Sequence, residues 1–222
     1  MLKDIISIKD PKSTAAEAFR TLRTNIQFSS FDEELDTIVI TSTQPGEGKS
    51  TVATNLAVVM AHSGKKVLLM DCDLRKPTVH KKLGLSNKEG LSNLLSKEKK
   101  LDEVIKASDV ENFYVLTTGP IPPNPSELLE SNKFRNFLKE ISSVFDIVLL
   151  DAPPVLAVTD AQILASFCNG VVFVAGYGQA EKKAIVRAKE LIEKVSGKIL
   201  GVVINKVPNT KDSYYYYNYE YK

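Results

Sequence analysis

The sequence predicts an α/β fold, a mostly parallel twisted sheet flanked by helices, on three observations. Short apolar runs alternate with helical segments, the order that builds parallel strands joined by crossover helices. The runs are rich in Val, Ile and Leu and nearly continuous, as strands buried on both faces are. One run leads into a glycine-rich turn and two end in carboxylates. In an open parallel sheet ligands bind beyond those carboxyl ends.

Taken in order, residues 13–28 precede the sheet and read as an amphipathic helix. Phe19, Leu22 and Ile26 form one stripe, Glu17, Arg20 and Arg23 the opposite side, and Ser13 or Thr14 supplies a cap. Strands are expected at 37–41, 66–71, 113–117, 146–151, 170–175 and 199–205, with helices at 49–62, 131–144, 159–167 and 179–195. Pro208 and Asn209 stop the last strand. Beyond them, six of the eight tyrosines fall in the last nine residues: Tyr214, Tyr215, Tyr216, Tyr217, Tyr219 and Tyr221. With no repeat and no linker, residues 1–207 read as one domain and 208–222 as a flexible tyrosine-rich tail.

Composition narrows the function. In 222 residues, 43% are hydrophobic and 25% charged, which excludes a wholly disordered chain, a collagen and a coiled-coil rod. The net charge of +2 gives no bulk attraction for nucleic acid. Cys72 and Cys168 lack metal-ligand spacing and fit a reducing cytosol. No run reaches the ~18–20 apolar residues of a membrane span, and the N-terminus lacks a signal-peptide core. The expected location is the cytoplasm, with any membrane association through a partner. His62 and His80 lie among polar residues and read as solvated.

The strongest local signal is Thr41-Ser-Thr-Gln-Pro-Gly-Glu-Gly-Lys-Ser-Thr51, after a strand and opening a helix, the context of a phosphate-binding P-loop. Gly46 and Gly48 permit the backbone turns that aim N–H groups at phosphate oxygens. Glu47 and Thr51 belong to the same cradle, Lys49 would neutralise phosphate charge, and Ser50 would ligate Mg²⁺. Thr43 stands where the motif has its first glycine. Asp151 closes an apolar strand, as a metal-supporting carboxylate beside a P-loop does. Asp71 and Asp73, two apart at another strand end, share a face. Converging carboxylates repel, and Mg²⁺ relieves the repulsion. One would face the metal and the other would be free to act as base. Cys72 points the other way, into the core.

Together these segments resemble the deviant-Walker P-loop superfamily. Asp71-Cys-Asp-Leu-Arg-Lys-Pro77, Pro122-Pro-Asn-Pro-Ser-Glu-Leu-Leu129 and Asp151-Ala-Pro-Pro154, with the P-loop, resemble the bacterial tyrosine kinases of capsular and exopolysaccharide synthesis over nearly the whole chain. The resemblance implies that Lys49 and Ser50 bind ATP phosphates and Mg²⁺, Asp73 and Asp151 support the metal, and Asp71 is the general base. The sequence leaves the roles of Asp71 and Asp73 exchangeable. Asn205 stands where the superfamily places an adenine-contacting Asn, and a turn-forming Asn fits the position nearly as well. Glu17-Ala-Phe-Arg20-Thr-Leu-Arg23 resembles the family's oligomerisation helix, implying a ring. The six tail tyrosines resemble its autophosphorylation cluster, modified by a neighbouring subunit.

The resemblance further implies a membrane-embedded activator or chain-length regulator on a separate chain, recruitment to the inner face of the membrane, and protein substrates in polysaccharide precursor synthesis. The alternative is an ATPase switch like the division-site and chromosome-partition regulators. Those carry a Lys early in the P-loop, where this chain has Gln44, and need no tyrosine tail. Arg75 and Lys76 face either phosphates and acidic substrate or only solvent. Residues 122–129 form either a rim of the site or a rigid loop.

Overall fold

The computed structural model describes residues 5–29 and 35–208. Its centre is a seven-stranded sheet in the order β3-β4-β2-β5-β1-β6-β7. The strands are β1 (Thr37–Ser42), β2 (Val67–Asp71), β3 (Ile105–Ala107), β4 (Phe113–Leu116), β5 (Ile147–Asp151), β6 (Gly170–Gly176) and β7 (Ile199–Asn205). All neighbours are parallel except β3, which runs antiparallel to β4. The register sets Asp71 beside Asp151 on adjacent strands. Two of the predicted site carboxylates are therefore neighbours by backbone pairing alone.

Each face of the sheet is covered by helices. On one face lie α1 (Ile6–Lys9), α2 (Thr14–Phe28), α3 (Lys49–Ala61) and α4 (Val79–Leu83). They pack with Ile38 and Ile40 of β1 and with Val67 and Leu69 of β2. Helix α3 lies between the sheet and α2, so all its residues but Thr51 are buried. That is why it reads as apolar on every side. On the other face lie α5 (Leu91–Leu95), α6 (Leu101–Val104), α7 (Pro125–Glu130), α8 (Asn132–Ser142), α9 (Asp160–Ala165) and α10 (Lys182–Glu193). They pack against Val39, Leu68, Met70 and Leu150. Alternate strand residues thus feed two cores, which accounts for the continuous apolar runs.

The predicted helix at 13–28 forms as α2, with Ser13 Oγ accepting from Ala16 N at 3.2 Å. The stretch from 125 yields two helices. Pro125 opens α7, and Ser131 then breaks it and caps α8, its Oγ accepting from Phe134 N. β7 departs from the reading of a strand buried on both faces. It is the sheet edge, and Val202 and Ile204 are about half exposed. His62 is exposed as expected, but His80 is half-buried in α4, where burial lowers its pKa. No helix among the described residues is long and apolar enough to cross a membrane.

Candidate active site

The site lies at the carboxyl ends of β1, β2 and β5, where the P-loop passes from β1 into α3. Gly46 and Gly48 take φ of +86° and +96°, the left-handed region that favours glycine. A Cβ on Gly48 would lie 2.1 Å from Asn205 Nδ2. That amide closes on the loop, donating to the Glu47 carbonyl at 2.9 Å. The end of β7 is therefore built against the P-loop, and Asn205 stands at the site.

Thr43 has a part in this loop that a glycine would lack. Its Oγ1 lies 2.9 Å from both carboxylate oxygens of Glu47, which also accepts from Gln44 N at 2.8 Å. Glu47 is buried, and its side chain folds back into the loop. What it presents outward is backbone. Thr51 Oγ1 accepts from Lys82 Nζ at 2.8 Å, a contact from α4 with no signal in the sequence.

Lys49 is buried among acids. Its Nζ lies 2.9 Å from Asp73 Oδ2 and 3.7 Å from Asp151 Oδ1. Burial pushes the ammonium's pKa down, but Asp151 and Asp73 outweigh it and hold the group above its usual value. Ser50 Oγ accepts from Thr78 Oγ1 at 2.8 Å. Asp71 is wholly buried, and its Oδ1 accepts from Asp73 N at 3.2 Å while Oδ2 accepts from Thr78 N and Val79 N, both at 3.1 Å. Burial, reinforced by Asp151, pushes its carboxyl up to about 8. Asp73 Oδ1 accepts from Lys76 N at 2.9 Å. Burial of the Cys72 thiol raises its pKa well above the usual value, so it stays protonated in the core.

Asp151 is wholly buried, and among the described residues neither of its oxygens has a hydrogen-bond partner. Its burial raises the carboxyl's pKa, against the pull of Lys49. The acids crowd a single ammonium, and the two buried Asp151 oxygens, which lack a hydrogen-bond partner among the described residues, suit a cation. Among the described residues no trio of His, Cys, Asp or Glu is arranged to hold a metal by itself. Mg²⁺ takes one or two carboxylates and completes its shell with phosphates and water, and the Asp151 oxygens fit it as donors.

Arg75 is held. It makes a two-pronged ion pair with the wholly buried Asp160, Nε to Oδ2 at 2.9 Å and Nη2 to Oδ1 at 3.0 Å. Its Nη2 also donates to Ser126 Oγ at 3.0 Å. Sequence reasoning named Arg75 and, within 122–129, the segment that holds Ser126, but missed Asp160 and the contact of Thr78 with Ser50, because nothing local links residues separated by whole βα units. In α2, Arg20 pairs with Glu17 at 2.6 Å and donates to the Pro11 carbonyl, whereas Arg23 donates to the Val59 carbonyl of α3. The six tail tyrosines lie outside the described residues.

A glycine-turned loop at a helix start, a buried lysine and strand-end carboxylates in a parallel sheet define a nucleotide-binding P-loop protein, and residues 35–199 match the model of the AAA domain. Bacillus subtilis tyrosine-protein kinase YwqD is 46% identical over 98% of this chain and 92% of its own length. The crystal structure of the chimerical protein CapA2B2 superposes with a TM-score of 0.89 at 45% identity, covering 92% of this chain and 90% of that one. The kinase domain of the Escherichia coli tyrosine kinase ETK superposes at 0.86 and 33% identity, over 98% and 84% of the two chains. The chain belongs to the bacterial tyrosine-protein kinases.

Proposed function

We propose that this kinase transfers the γ-phosphoryl group of ATP to the tyrosines of its own C-terminal segment, between neighbouring copies in an oligomer. The observation that carries the site assignment is the packing of Lys49 with Asp73 and Asp151 beneath the P-loop, with Asp71 in register beside Asp151. The P-loop backbone from Gly46 to Thr51 holds the phosphates, and Asn205 borders the nucleotide. Lys49 neutralises charge on the transferring group, where positioning and electrostatics supply most of the catalysis. Mg²⁺, held by Ser50, Asp73 and Asp151 together with phosphates and water, would supply further neutralisation of the phosphate oxygens.

Asp71, ionised once a cation bound at the site draws its raised pKa down, accepts the phenol proton as the phenolate oxygen bonds to phosphorus and ADP leaves. At pH 7 only about one tyrosine in a thousand is ionised, so an oriented acceptor matters. Oδ1 of Asp71 accepts a single N–H and keeps acceptor capacity, while Asp73 is committed to Lys49. The remaining acceptor capacity of Asp71 supports giving it the proton, and the metal role of Asp73 requires Lys49 to turn from it to the phosphates.

The tail reaches the site readily. The 17 residues after Asn205 span at most ~60 Å. Glu17, Arg20 and Arg23 build the ring. The activator is a membrane-embedded protein on a separate chain, which brings the kinase to the cytoplasmic face of the membrane to regulate capsular or extracellular polysaccharide synthesis. Intact-mass measurement after incubation with Mg-ATP and the activator's cytosolic segment tests the core of this reading. Wild type is expected to show a ladder of added phosphates, absent from Lys49→Met and from a chain ending at 208. ATP hydrolysis with no phosphate on the protein would overturn it in favour of an ATPase switch.

A further inference from the structure

The ion pair of Arg75 with Asp160 ties together three loops that leave the sheet side by side. Arg75 follows β2, Ser126 follows β4 at the start of α7, and Asp160 follows β5 at the start of α9. Strands β4, β2 and β5 are consecutive in the sheet. Arg75 sits within the loop that carries Asp73.

The backbone amides of that loop are held on its inner side by the two site carboxylates, beside the Thr78–Ser50 hydrogen bond. Asp71 and Asp73 accept the amides of Asp73, Lys76, Thr78 and Val79. Those acceptor oxygens are shared with the site, so the hydrogen bonds weaken when a bound cation draws on them. A loop fixed by them alone would shift during the chemistry it supports. The side-chain hydrogen bonds of Arg75 go to Asp160 and Ser126 and to neither carboxylate. Asp160 is wholly buried, and its two oxygens fix the guanidinium plane, a geometry that lysine cannot reproduce. The guanidinium also reaches the proline-rich rim through Ser126.

We infer that Arg75 and Asp160 form a positioning clamp that holds the Asp73 loop in the geometry needed for the metal-bound nucleotide. This rests on the reading of Asp73 as the metal-facing carboxylate. The test pairs two readouts in Arg75→Lys and Asp160→Asn: hydrogen exchange of the Lys76, Thr78 and Val79 amides, and the affinity for a fluorescent ADP analogue with and without Mg²⁺. In both variants those amides are expected to exchange about ten-fold faster while β5 amides keep the wild-type rate. The tightening of ADP by Mg²⁺ is expected to fall by about ten-fold, with metal-free affinity unchanged.

Unchanged exchange, or faster exchange with an unchanged Mg²⁺ effect, would overturn the clamp. So would equal loss of affinity with and without metal. If Asp160→Asn does not fold, Arg75→Lys, which keeps a cation opposite Asp160, decides the matter. Asp73→Asn separates the two readings: a full Mg²⁺ effect in that variant would refute the metal assignment itself, whatever the exchange rates show.

Discussion

Gly48 and Asp71 show how single positions carry this site. Gly48 has a left-handed backbone and no room for a Cβ beside Asn205. Gly48→Ala is expected to cost about 1 kcal/mol of stability and to push Asn205 off the Glu47 carbonyl. A lower melting temperature and a weaker ADP affinity would be measured together. Asp71 makes pH matter. Its folded carboxyl titrates at about 8, far above the value near 4 of an unfolded Asp. Between those values the folded chain binds the proton that the unfolded chain releases. Stability therefore falls as pH rises from about 4 to 8, by at most about 1.4 kcal/mol per pH unit from this group. Asp151, shifted in the same direction by burial, adds to the slope. Urea unfolding between pH 5 and 8, without nucleotide or metal, is expected to show that decline, and Asp71→Asn is expected to flatten it.

At the scale of elements, α2 has two different edges. Arg20 pairs with Glu17 in an exposed i,i+3 contact that contributes little to folding. Arg23 reaches the Val59 carbonyl in the last turn of α3, where the helix dipole favours a cation. Arg20→Ala is expected to leave the urea midpoint unchanged and Arg23→Ala to lower stability by about 0.5–1 kcal/mol. The stripe of Phe19, Leu22 and Ile26 is legible in the residue spacing alone, and these residues do pack on the α3 side of the sheet. The short elements are not legible in that way. β3 has three residues, and α4, α5 and α6 have five, five and four. Such lengths hold too little periodic pattern to be read, and their shape is imposed by the sheet they cover. β7 looks like an interior strand, but edge or centre is decided by the strand order, which its own residues do not encode.

For the whole molecule, the open question is assembly. Light scattering of Arg20→Ala with Arg23→Ala is expected to show loss of the oligomer while the circular dichroism spectrum stays that of the folded chain. An unchanged size would remove α2 from the proposed ring contact. Phosphorylation offers a second handle, because each phosphate adds about −1.5 to −2 charge to a chain of net charge +2. A fully modified tail would reverse the molecule's charge. Size measured against the number of phosphates is expected to show the assembly dissolving as the ladder climbs.

The amino-acid sequence by itself determined the α/β class, the P-loop and the strand-end acids, because each is written in contiguous residues: apolar runs, Gly46 and Gly48 ahead of Lys49, and Asp71 and Asp151 closing their strands. Tertiary structure alone decided which distant groups meet. Only the parallel register sets Asp71 beside Asp151. Only the strand order brings Arg75, Ser126 and Asp160 to one point. Burial, with Asp151 brought alongside, lifts Asp71 to about 8, and the folded site leaves Asp151 without a hydrogen-bond partner among the described residues. A chain can carry its local grammar in adjacent letters, but charge, desolvation and contact depend on distances in space, and those exist only once the sheet has formed.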